Sequence, residues 1–124
     1  MLLHQNLSER VIGLAIEVHR TIGPGLLESV YRQCLAFELE QAAIPVQTEV
    51  AIPVIYKNRT LPLGFRADIV VSDSIIIEVK AVSEILPVHQ AQVLTYLRMS
   101  HIKVGLIMNF HAPRLKHGLL RCVV

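Results

Sequence analysis

Two amphipathic helical segments, a following run of β-branched segments broken by turns, and one more helix set between late strands predict an α/β sandwich with a mixed β-sheet, in the order ααβββαββ. In "NLSERVIGLAIEVHRTIG" the apolar Leu7, Val11, Leu14, Ala15, Val18 and Ile22 recur at helical spacing, with Asn6 or Ser8 as the expected cap and Gly23 as the stop. After a Gly-Pro-Gly turn, Leu27, Val30, Cys34, Leu35, Leu39 and Ala42 fit a period near 3.6 and predict a second helix over about 26 to 42.

The texture then changes. "VQTEVAIPVIYK" and "TLPLGFRADIVV" read as strands joined at Lys57-Asn58-Arg59, and "SIIIEVKA" as a third after Ser72-Asp73-Ser74. Pro53 and Pro62 call for a sheet edge or a bulge, because proline cannot donate to a ladder. "PVHQAQVLTYLRMS" follows as a helix with Pro87 at its start, then "KVGLIMNF" as a buried strand and "GLLRCVV" as a short last one.

The 124 residues are expected to form one domain, 1–124, with 52% hydrophobic and 18% charged residues, outside the regime of disordered chains. Neither end carries a continuous apolar targeting segment and no window reaches the roughly 18 apolar residues of a membrane span, so a cytoplasmic protein with no membrane partner is expected. Cys34 and Cys122 lack C-x-x-C spacing and read as buried free thiols. A net charge of +2 does not by itself announce a nucleic-acid binder, but no Asp or Glu follows Glu84, whereas Arg98, Lys103, Arg114, Lys116, Arg121 and four histidines do. Such a one-sign region either attracts phosphates or is a set of scattered solvated side chains.

One hairpin raises a chemical question. If Ser72, Asp73 and Ser74 form a three-residue loop, Val71 pairs with Ile75 and Asp68 falls opposite Glu78, two like charges on one face. Alternation puts Glu78 and Lys80 on that face and Ile75, Ile77 and Val79 on the other. On these residues alone two readings stand. The three charges are either a solvated ion-pair cluster, or a pair of acids that traps a hard divalent cation beside an ammonium that can orient a nucleophile or stabilise charge on phosphorus. A two-residue loop would shift the register and separate the acids.

Asp68 followed by Glu78-Val79-Lys80 resembles the signature of the PD-(D/E)XK nuclease superfamily, and "GPGLLESVYRQCL", "HQAQVLTYL" and "GLIMNF" resemble its GxxExxY family over nearly the whole chain. The resemblance implies a restriction-endonuclease-like core. It implies Asp68 and Glu78 as metal ligands with the Val79 carbonyl, Lys80 as the catalytic lysine, and Glu28 as the acid that reaches the metal from the preceding helix. It also matches Gln92 and Tyr96 to a Q-x-x-x-Y helix motif. Glu28 with Tyr31, and Gln92 with Tyr96, are spaced to share a helix face. Glu28 also reads as an acid complementing a helix dipole, Tyr31 as a core-edge aromatic, and His89 either as a phosphate contact or as an ordinary surface histidine. Ala67 stands where the superfamily name has proline, and Gln90 where the family is expected to have an acid.

The implied function is a Mg²⁺- or Mn²⁺-dependent nuclease acting on nucleic acid, with DNA the expected substrate and catalysis carried by Glu28, Asp68, Glu78, Lys80 and Gln92. Tyr31, His89 and Tyr96 are the expected substrate contacts. The alternative is a catalytically silent module of the same fold that binds nucleic acid or protein, with a homodimer among the expected forms. "GPG" lacks the Lys-Ser/Thr ending of a P-loop, and neither G-x-S-x-G nor H-E-x-x-H occurs.

Overall fold

The structure, a computed structural model, describes residues 2–124 apart from the side chains of Pro62 and Leu63. Helix α1 runs Gln5–Ile22 and buries Val11, Ala15 and Val18, one stripe of the expected apolar face. Its start differs from expectation: the cap is His4 in a left-handed conformation, and Ser8 lies inside the helix, where its Oγ accepts a hydrogen bond from Arg121. The partly buried Arg121 guanidinium thus claims the hydroxyl that local spacing assigned to capping. Helix α2, Glu28–Gln41, buries Tyr31, Leu35 and Leu39 at successive i, i+4 positions.

Strand β1, Val46–Tyr56, and strand β2, Arg59–Val71, form a long hairpin. Lys57 and Asn58 both take positive φ, 49° and 64°, so the connection is a two-residue mirror-image turn and Arg59 pairs with Tyr56 rather than joining the loop. The pairing register shifts between Pro53 and Val54, the irregularity that Pro53 calls for, on a strand that also lies at the sheet edge. The same expectation for Pro62 lies outside the described side chains. Gly64 is required here, since a Cβ on it would collide with the Ile52 carbonyl oxygen.

Strand β3 (Ile75–Lys80) is followed by helix α3 (Pro87–Ser100), strand β4 (Val104–Asn109), a 3₁₀ turn at Leu115–Gly118 and strand β5 (Leu119–Val123). The five strands lie in the order β1-β2-β3-β4-β5, antiparallel except for β3 and β4, which α3 connects as a parallel crossover pair. This is a mixed sheet flanked by helices, consistent with the restriction-endonuclease-like fold expected from the sequence.

Period-two alternation divides the core. Ile75, Ile77 and Val79 pack with α1 and α2 on one face, whereas Ile76 and Ile107 pack against Val93, Tyr96 and Leu97 of α3 on the other. Glu78 and Lys80 therefore share the α3 face. Both cysteines are free thiols, and among the described residues no helix is long and apolar enough to cross a membrane.

Candidate active site

The β2–β3 ladder runs from Val71↔Ile75 to Ile69↔Ile77 and then opens, one step before Asp68 and Glu78. Ser72, Asp73 and Ser74 form the three-residue loop that sets this register. Beyond the opening, side chains take over from backbone. The Val79 amide donates to Asp68 Oδ2 at 2.8 Å, and the Asp68 amide donates to Glu78 Oε1 at 3.3 Å. Two residues on, the Ala81 amide donates to Glu28 Oε2 at 3.1 Å.

Asp68 and Glu28 thus cap successive N–H groups on the same edge of β3, about 7 Å apart along the strand. Lys80 turns its carbonyl the other way, accepting from the Phe110 amide at 2.8 Å, so alternation directs the Val79 carbonyl toward the edge that the two acids occupy. The open edge presents hard oxygen donors where β2 leaves the sheet.

Burial takes Glu78 out of the solvated reading, while Asp68 and Lys80 are partly buried. Glu78 is 5% exposed, which is incompatible with a solvated strand face. Burial, and then the neighbouring Asp68 charge, push its carboxyl from 4.5 up to about 8, with Lys80 offsetting only part of the rise. Arg32, one turn after Glu28 on α2, is the other nearby cation: its guanidinium stands 3.8 Å from Asp68 Oδ1 and 3.7 Å from Glu49. Arg32 escaped the sequence reading, although i, i+4 spacing from Glu28 was the available signal.

Helix α3 closes the site from one face. Tyr96, 8% exposed, packs against Phe65 with ring centroids 4.9 Å apart, and its phenol is raised by burial and then by the charges of Glu78 and Asp68. Gln92 is exposed one turn earlier on the same helix. His89 is committed to the start of α3, where its Nδ1 accepts from the Leu86 amide at 2.9 Å.

Tyr31 is not brought to the site surface. It is fully buried and stacked on Phe110 at 4.5 Å, and its hydroxyl donates to the Gly23 carbonyl at 2.7 Å while accepting from the Leu26 amide at 3.1 Å. With no exposed surface and both hydroxyl functions engaged, it pins the Gly-Pro-Gly turn ahead of Glu28 and offers a substrate nothing to touch. Asn109 is a second residue the sequence reading passed over. Its side chain donates to the Val82 carbonyl at 2.8 Å and accepts from the Val82 amide at 3.1 Å, latching the segment after Lys80 to the end of β4. A lone amide closing an otherwise apolar strand, "VGLIMN", was the signal.

Among the described residues no three His, Cys, Asp or Glu side chains form a closed metal-binding cluster. The donor set nevertheless suits a hard cation of the Mg²⁺ kind, which takes one or two carboxylates and fills its other positions with water and phosphate oxygens. A buried, like-charged pair of carboxylates is also what such a cation would relieve.

A mixed sheet between helical layers, its central hairpin opening where two acids and a lysine sit, is consistent with the restriction-endonuclease-like class of α/β folds. A family model described as the PD-(D/E)XK nuclease superfamily matches residues 5–122, and the chain belongs to that superfamily. No curated protein and no solved structure matches it.

Proposed function

We propose that this chain is a Mg²⁺- or Mn²⁺-dependent nuclease that hydrolyses phosphodiester bonds in DNA. One observation carries the reading: a carboxylate buried beside a second carboxylate and a lysine at the point where a central strand edge opens. Superfamily membership supports nuclease chemistry and a nucleic-acid substrate. The segment Gly25-Leu26-Leu27-Glu28-Ser29-Val30-Tyr31 supports the GxxExxY family within it.

Asp68, Glu78 and the Val79 carbonyl would hold the cation, with Glu28 approaching from α2. When bound, a divalent ion there neutralises the acid pair, polarises a phosphate oxygen and acidifies a water. The residues of the chain supply the rest. The Val79 and Ala81 amides fix the Asp68 and Glu28 carboxylates before substrate arrives, so little reorganisation is left for the reaction. The Lys80 ammonium orients the attacking water and stabilises negative charge growing on the phosphoryl oxygens. Gln92, exposed on α3 one turn before Tyr96, would contact substrate, while Tyr96 and Phe65 wall off bulk water. Attack in line forms the new P–O bond as the bond to the 3′ oxygen breaks, leaving a 5′ phosphate and a 3′ hydroxyl.

Purified chain incubated with linear, circular and single-stranded DNA, with Mg²⁺, Mn²⁺ or EDTA, tests this directly. Cleavage is expected only with a divalent ion and is expected to fall by roughly 10²-fold or more in Lys80→Ala and Asp68→Asn, the scale on which loss of one charge-stabilising group acts. Cleavage that persists in Lys80→Ala sinks the assignment. DNA binding with no cleavage by the wild-type chain would identify a silent module of the same fold.

A further inference from the structure

The hairpin that delivers Asp68 does not end at the site. Pairing between β2 and β3 stops at Ile69, yet pairing between β1 and β2 continues to Tyr56↔Arg59, ten residues further along β2. Because β2 runs antiparallel to β3, this surplus ribbon projects past the C-terminal end of β3, the end that carries Lys80 and Ala81. Its base is anchored: Val50, Ile52 and Phe65 pack with Tyr96 and Val93 of α3. Beyond the register shift at Pro53 the anchoring ends, and residues 55–60 are all exposed, Ile55 at 47% and Tyr56 at 61%.

Charge along the ribbon is one-signed. From Val50 to Ala67 there is no Asp or Glu, while Lys57, Arg59 and Arg66 are present. Among the described residues none of these three makes an ion pair, and Lys57 instead lies over the Tyr56 ring at 5.4 Å. Beyond its anchored base, the exposed, paired, cationic end of the ribbon buries no side chain in the core at residues 55–60.

We propose that the β1–β2 ribbon is a substrate arm that lies in a groove of double-stranded DNA and holds the duplex across the Asp68–Glu78 site. This rests on the nuclease reading for its substrate class, while the geometry and charge are the ribbon's own. A two-stranded ribbon is of a size that the major groove, about 12 Å wide, admits, and cations at the tip meet phosphates on both walls. Single strands are bound through successive aromatic stacking platforms, and the exposed tip carries one aromatic ring, Tyr56. Tip-to-tip association of two copies would bring four cations together, Lys57 and Arg59 from each, with no carboxylate at the tip to compensate, so the arm disfavours that use.

The test is equilibrium binding in EDTA, where hydrolysis is off. Fluorescence anisotropy would follow a labelled 30-base-pair duplex and the corresponding single strand between 50 and 200 mM NaCl, comparing wild type with the double variant Lys57→Ala, Arg59→Ala. Both positions are exposed, and matched thermal melts confirm folding. The variant is expected to bind duplex at least about fivefold more weakly at 100 mM salt. The slope of log K against log salt should fall by about 2, one for each phosphate that is no longer neutralised, with a smaller change on the single strand. The inverting variant Lys57→Glu, Arg59→Glu is expected to deepen the loss. Unchanged duplex affinity and slope overturn the proposal, as does an equal loss on single-stranded DNA. So does a wild-type dimer that light scattering shows the variant to dissociate. Failure of the nuclease reading is separate: wild-type chain that grips duplex through the arm but cleaves nothing with Mg²⁺ sinks the chemistry and leaves the arm standing.

Discussion

Glu78 concentrates the tension between folding and chemistry. Its carboxyl is held at about 8 in the folded chain against 4.5 ordinarily, because burial and Asp68 both oppose its charge. Below 4.5 both folded and unfolded chains keep the proton, and this group costs nothing. As pH rises from about 4.5 to about 8 the unfolded chain releases the proton while the folded chain retains it, so stability falls across that window and levels off above it. In EDTA, Glu78→Gln should therefore be more stable than wild type at pH 9, by on the order of 2 to 4 kcal/mol, and close to it at pH 4.5. Thermal melts at the two pH values measure the gap, and millimolar Mg²⁺ should narrow it at pH 8 by stabilising wild type alone. Equal gaps at both pH values would remove the acid pair as the cause. A substitution that stabilises the fold while abolishing cleavage would mark the position as kept for function. The juxtaposition of Asp68 and Glu78 was legible in the sequence, since a three-residue loop sets the register, although the ladder itself opens one step before them. The burial of Glu78 was not, because a Glu and a Lys two apart read as a wet strand face until α3, a separate element, packs on that side of the sheet. Arg32 was hidden for a similar reason: its partner Asp68 lies on another element.

At the level of elements, long periodic segments were readable and their ends less so. The bounds of α3 follow the sequence signals, Pro87 opening the helix. The cap of α1 was misplaced because Ser8 serves a tertiary partner, and the 3₁₀ turn at Leu115–Gly118 was missed because four residues carry no periodicity. The turn before α2 shows how an element boundary positions chemistry. Gly23 and Gly25 take left-handed φ of 71° and 99°, conformations glycine adopts without a side-chain penalty, and the Tyr31 hydroxyl bridges that turn to the helix. Tyr31→Phe keeps the stack on Phe110 but leaves the Gly23 carbonyl and Leu26 amide without their partner. It should cost about 1 to 3 kcal/mol in urea unfolding. Because the turn sets where α2 begins, kcat should fall more than KM rises, Glu28 being displaced rather than removed. A variant with wild-type stability would show the hydroxyl bridge to be idle.

Across the whole molecule, the acid-free stretch after Glu84 sorts into two kinds of cation, a division that sequence alone left unresolved. Arg121 is spent internally: its guanidinium donates to Ser8 Oγ at 3.1 Å and to the Leu3 carbonyl at 2.5 Å, tying β5 to the start of α1. Arg114 and Lys116 are exposed instead, beside a cavity of about 520 Å³ that Gly23 and Pro24 of the turn before α2 also line. Both lie after the C-terminal end of β4, the end of the parallel pair where open α/β sheets place their ligands. Alanine substitutions should separate the two kinds. Arg121→Ala removes hydrogen bonds that join the two ends of the chain, so it should lower the melting temperature and leave the salt slope of DNA binding unchanged. The Arg114→Ala, Lys116→Ala pair should leave the melting temperature within error and reduce that slope by about 2. If instead Arg121→Ala flattens the slope without destabilising the fold, Arg121 faces phosphate in solution and the two classes of cation must be exchanged.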